Sequence, residues 1–139
     1  MPKGNKTNIA YTVPSWIFQG NKKIKSSYLK GFFTAEGYIY ATRLADNGIR
    51  WRIGIEQYKN EKIRENCKIY MEQLRTMLKT FEIDSSPVRF NGHNIRKDGT
   101  KSVGARFDIE KPSFGNFYKY IGFDHVEKQR KLLLAMRGA

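Results

Sequence analysis

This chain has little with which to do sulfur or imidazole chemistry. One cysteine, Cys67, in 139 residues excludes an internal disulfide. That cysteine and two histidines, His93 and His125, fall short of a zinc site of the usual kind. Apolar runs are a few residues long, far below the roughly 20 needed to cross a bilayer. The opening MPKGNKTN lacks the apolar stretch of a secretory signal. These absences predict an intracellular protein, cytoplasmic or, in a eukaryote, organellar, with no membrane partner.

Carboxylates are scarce as well. Thirteen Asp and Glu stand against 26 Lys and Arg, a formal net charge of +13, and such a surplus calls for a polyanionic partner. The basic residues recur at Lys22, Lys23 and Lys25, at Arg50 and Arg52, at Arg96 and Lys97, and from Lys128 to Arg137. They are not gathered on one amphipathic helix, so nucleic acid fits better than an acidic membrane surface. The first 35 residues hold six lysines and no acid, and Glu36 is the first carboxylate of the chain. On that background it is either an ion-pair partner or the ligand of a hard, oxygen-seeking cation such as Mg²⁺.

What the chain does have is enough apolar surface for one domain: 40% hydrophobic and 14% aromatic residues support a packed core at this length. Residues 1–25 read as a basic N-terminal arm with a semi-apolar patch from Tyr11 to Phe18, interrupted by Pro14. Ser26 or Ser27 is expected to cap a helix running to about Ala35 and closed by Gly37. The period then changes to two. Tyr38 to Arg43, a turn at Asp46-Asn47-Gly48, and Ile49 to Gln57 form a hairpin of the Asn-Gly type. Ile63, Cys67, Tyr70, Leu74, Leu78 and Phe81 make the stripe of an amphipathic helix over 60–81, so Cys67 is a core residue. A second hairpin spans Pro87 to Ile109 with its tip at 96–100. Pro112 opens a helix that ends at Gly122, and a last basic helix covers Val126 to Met136.

The order predicts an α+β domain with one four-stranded antiparallel sheet and its helices on one face. The uncovered face collects Tyr38, Tyr40, Thr42, Arg50, Arg52, Arg89, Asn91, Ser102 and Arg106. These are donors suited to phosphates and base edges in a DNA groove.

Leu29-Lys30-Gly31-Phe32-Phe33-Thr34-Ala35-Glu36-Gly37, followed by two hairpins and an Ile121-Gly122-Phe123 segment leading to a basic helix, resembles the LAGLIDADG homing endonucleases over about residues 26–137. Leu29, Gly31, Ala35 and Gly37 are identical to the motif, Phe32 and Phe33 replace aliphatic residues, and Glu36 stands for the essential aspartate. Gly31 and Ala35 lie four apart on one helical face, where two helices can approach closely. The echoes of GIY-YIG and HNH nucleases in Gly37 to Tyr40, Tyr120 to Gly122, His93-Asn94 and His125 lack the spacing or the ligand pattern of those modules.

The resemblance implies an αββαββα endonuclease domain over 26–139 with a saddle-shaped sheet. A single motif copy implies a homodimer meeting through Gly31, Phe32 and Ala35 on double-stranded DNA. The implied activity is intron-encoded, Mg²⁺-dependent cleavage of a long, near-palindromic target. Water attacks phosphodiesters across the minor groove, leaving 3′ overhangs. Glu36 would hold the metal, with Mn²⁺ or Ca²⁺ able to take the same site. Gln57 would position water, and Lys128, with His125 behind it, would support the water network or the scissile phosphate. Where some members place an arginine four residues after the glutamine, this chain has Glu61, leaving Lys59 or Lys62 for that basic role. The alternative within the family is a catalytically inactive nucleic-acid-binding protein, either an RNA maturase aiding intron splicing or a DNA-binding regulator.

Overall fold

In the computed structural model, residues 12–95 and 97–137 are described. The start of the expected arm, residues 1–11, lies outside them, as do Arg96 at the second hairpin tip and the last two residues.

Two helices open the described chain, the short α1 (Ser15–Phe18) and the longer α2 (Lys22–Glu36). Of the residues assigned to the arm, Val13 and Ile17 are buried in the common core, and the Val13 backbone N–H donates to the Gln73 side chain at 2.8 Å. Helix α2 begins earlier than Ser26. The Asn21 side chain accepts from the Ile24 N–H at 2.9 Å, so asparagine satisfies one of the free donors of the first turn and the lysine run becomes helical.

Strands β1 (Gly37–Arg43) and β2 (Ile49–Asn60) form the first hairpin, and β3 (Arg89–Ile95) and β4 (Lys101–Asp108) the second. Both tips use one device, an aspartate accepting from the backbone two residues on. Asp46 takes the Gly48 N–H and Asp98 the Thr100 N–H, each at 2.9 Å. Between them Asn47 and Gly99 take positive φ, 67° and 83°, which asparagine and glycine tolerate best. The sheet order is β1-β2-β4-β3, antiparallel throughout. A residue inserted at Gly92 breaks the β3 register between Asn91 and His93.

Helix α3 (Arg64–Lys79) follows a single 3₁₀ turn at Glu61–Ile63, and α4 (Phe114–Tyr120) follows another at Lys111–Ser113; α5 (Val126–Met136) ends the described chain. Helices α2 and α3 pack on β2, α3 also on β4, and α5 on β1. Ile39, Ile53, Ile55, Ala105 and Phe107 meet Leu29, Phe33, Met71, Leu74, Leu78 and Leu132 in one core. Phe33 and Phe117 stack edge to face, ring centres 5.0 Å apart. Cys67 is buried in the same cluster, and burial pushes its thiol up while the Lys59 charge opposes, so it is an inert packing residue. The described residues thus form an α+β domain with a four-stranded antiparallel sheet and five helices. None of those helices is long and apolar enough to cross a membrane.

Candidate functional site

Helix α2 passes directly into β1: Glu36 is its last residue and Gly37 the first of the strand. A helix C-terminus carries free carbonyls and partial negative charge, and here a cation meets it. The Lys128 ammonium donates to the carbonyls of Thr34 at 2.9 Å and Gly37 at 3.0 Å, spanning Glu36. Lys128 is delivered by the start of α5, where His125 Nδ1 accepts from the Lys128 backbone N–H at 3.2 Å. The preceding loop is tied on by Thr34 Oγ1, which accepts from the Asp124 N–H at 2.9 Å and donates to the Lys30 carbonyl at 2.6 Å. Two residues 92 positions apart, Glu36 and Lys128, therefore share one junction, while His125 serves as the helix cap.

Gln57 lies two residues past Ile55, the partner of Gly37, where β1 gives way to α2. It shares the strand phase of Ile53 and Ile55 and is buried with Lys59, so both point toward the helices. Lys59 is enclosed beside Cys67, whereas Lys62 is exposed. On α2, Gly31 and Ala35 are exposed, and a Cβ built on Gly31 meets nothing within 4 Å. Phe32 is turned inward instead, 5.6 Å from the Tyr70 ring and stacked with Tyr28. Its neighbours are this chain's own aromatics.

The sheet face away from the helices carries Tyr38, Tyr40, Thr42, Arg50, Arg52, Arg89, Asn91, Ser102 and Arg106 in one phase, as the register requires. Thr42 and Arg50 are exposed partners and Tyr40 pairs with Arg52. The Asn91 backbone pairs with Gly104, and its side chain lies outside the described residues. Ser102 is 2% exposed, so it is enclosed rather than presented to a ligand.

At the centre of this face is Asp108, which charge counting passes over. Its carboxylate accepts from Arg89 at 2.7 Å, Arg106 at 3.3 Å and Arg52 at 3.4 Å, and from the Tyr38 hydroxyl. Arg106 also donates to the Tyr40 hydroxyl at 2.9 Å and lies over the Tyr38 ring, 4.8 Å from its centre. Gly54 makes the approach possible, since it pairs with Tyr38 on one side and Asp108 on the other. A Cβ there would collide with the Phe107 carbonyl and come within 2.6 Å of the Tyr38 hydroxyl. Burial pushes the Asp108 carboxyl up, but the hydrogen bonds from Tyr38 and Arg89 and the charge of Arg106 outweigh it and hold it below the usual range. Burial, and then the hydrogen bond to Asp108, push the Tyr38 phenol far above its ordinary value, so it stays a neutral donor. Beside this cluster opens a cleft of about 460 Å³ whose walls include Arg50, Trp51, Arg52, Arg89, Asp108 and Lys111. The signal that marks Asp108 in sequence is alternation: it shares the strand phase of Arg106.

Comparisons with known proteins return short matches inside long chains. The chain is similar to the replication factor C small subunit of Methanocaldococcus jannaschii, 37% identical over 83 residues, which is 59% of this chain and 4% of that protein. It is similar to the tRNA-splicing ligase RtcB of Pyrococcus furiosus, 28% identical over 94% of this chain and 12% of that one. It also resembles the DNA-directed RNA polymerase subunit Rpo1N of Methanocaldococcus jannaschii, 30% identical over 93% of this chain and 9% of that one. The chain thus spans no more than about an eighth of these relatives, and none of the three names describes an endonuclease. No family model and no solved structure matches.

Proposed function

We propose that the chain is a homing endonuclease of the LAGLIDADG type. It would act as a homodimer that cuts both strands of a long, near-palindromic DNA site in the presence of Mg²⁺. The observation that carries this reading is the α2–β1 junction. The motif helix ends on Glu36, its Gly31 and Ala35 face open space, and the Lys128 ammonium sits on the same helix end.

One carboxylate per chain, on a helix end that two copies can bring together, suits a cation that takes one or two carboxylates and completes its shell with water and phosphate oxygens. Glu36 and its twin would hold Mg²⁺, whose charge would stabilise the phosphodiester oxygens. Lys128 spends two of its three donors on carbonyls and keeps the third for a phosphate or an attacking water. Gln57, packed at the same end of the sheet, would orient that water. The sheet face, with Arg50, Arg52, Arg89 and Arg106, would take the duplex, as an open antiparallel surface over a saddle-shaped dimer.

The relatives support this reading in one respect. Nearly the whole chain aligns within proteins named for RNA ligation and for RNA synthesis, and occupies about a tenth of each. A homing unit inserted into unrelated hosts would give matches of this kind. Glu36→Gln keeps the side chain's size and removes its charge. It is expected to abolish Mg²⁺-dependent cleavage while leaving DNA affinity largely intact. Undiminished cutting would remove Glu36 from the site.

A further inference from the structure

We infer that Asp108 is a specificity-determining residue that works by positioning Arg52, Arg89 and Arg106 for base readout, an inference that rests on the DNA-binding reading above. An arginine on an open basic face gains most from wandering between phosphates, which carry no sequence information. Reading a base edge requires the planar fork to be held in place, because a long side chain otherwise loses its rotamer freedom on binding. Asp108 supplies the holding. Its side chain is 13% exposed, whereas those of Arg89, Arg52 and Arg106 remain 48, 28 and 18% exposed. Each guanidinium has five N–H donors and is tied to the carboxylate through one nitrogen, which leaves Arg89 and Arg52 with free donors on their exposed parts, whereas Arg106 is more enclosed, its Nε buried and its Nη2 shared with Tyr40. The carboxylate is fixed in turn by the Tyr38 hydroxyl, and its backbone N–H donates to Ser86 Oγ at 3.0 Å. Three positive charges and one negative leave the cluster cationic, so it attracts DNA without a free choice of phosphate.

The account predicts opposite effects on two quantities. Asp108→Asn removes a negative charge, so binding to a scrambled duplex tightens and the salt dependence of binding steepens by about one phosphate contact. Preference for the selected target over the scrambled duplex falls by about tenfold or more, in the range of one lost base contact. Arg52→Gln lowers that preference in the wild-type background and leaves it unchanged in the Asp108→Asn background, because the two residues act as one unit.

The experiment measures affinity of the full chain and these variants for both duplexes across a salt series. Thermal melts confirm folding, and ¹⁵Nε relaxation reports arginine order in the free wild-type chain. Ordered Arg89 and Arg106 side chains together with the predicted split support the role. A selective wild-type chain whose folded Asp108→Asn variant keeps its preference overturns it. So do disordered arginines in the wild-type chain, a result that stands even if the variant does not fold. A wild-type chain with no preference for any duplex overturns the DNA-binding reading itself.

Discussion

Asp108 is one carboxylate facing three guanidinium groups and a phenol, and its energetics are those of a depressed acid. Its folded carboxyl lies below the ordinary value of 3.8. Its stabilising contribution is therefore complete above that value and is lost as pH falls through the lower folded value. Urea titrations between about pH 6 and about pH 2 should show wild type losing more stability than Asp108→Asn. Parallel losses would mean that the carboxylate is not coupled to folding. Glu36 and Asp108 divide the acidic work of a basic protein. Glu36 ends α2, where the proposed dimer would bring its twin, and Asp108 gathers three guanidinium groups on the sheet face away from the helices. Glu36 stands out in the sequence because it is isolated there. The Asp108 cluster does not, since only folding brings Arg52, Arg89 and Tyr38 to one acid from three other strands.

At the scale of elements, the two hairpins and α2 carry the design. Gly54 lets Tyr38 reach across β2 to Asp108. Gly54→Ala is expected to cost about 1–3 kcal/mol through the collision with the Phe107 carbonyl. It should also displace the Tyr38 ring, which chemical shifts or a crystal structure would show. Gly31 is the opposite case, a glycine with empty space over it. Gly31→Leu should leave the folded monomer as stable or up to about 1 kcal/mol more stable through helix propensity. It should abolish dimerisation in sedimentation, because paired helices can no longer approach closely. A destabilised variant or an intact dimer would place the interface elsewhere.

Beyond the residues read as an arm, where the structure adds α1 and the start of α2, element types and order follow from the sequence pattern, because alternation at Trp51, Ile53 and Ile55 and the stripe from Ile63 to Phe81 are strong local signals. The start of α2 was less legible. The expected cap is Ser26 or Ser27, and the structure caps the helix at Asn21 instead.

At the scale of the molecule, a formal charge of +13 falls on a domain with one bare sheet face and one helix-covered face, two sides of different character. The covered side brings Glu36, Gln57 and Lys128 toward one end, and the bare side spreads arginines around a buried acid. Burial of Ser102 shows where strand phase alone misleads, and Phe32 packs on Tyr70 of α3, a contact that motif position does not reveal. Neighbours across the sheet and on α3 decide exposure, and they are not local in sequence.

Whether two copies of this chain cut a specific DNA site with Mg²⁺ is decided by incubating the wild-type chain and its Glu36→Gln variant with a randomised duplex library and sequencing the cut molecules. The account predicts that wild type with Mg²⁺ enriches one near-palindromic sequence cut on both strands, and that neither the variant nor wild type in chelator does so. The absence of any cut sequence enriched by wild type over Glu36→Gln would contradict it.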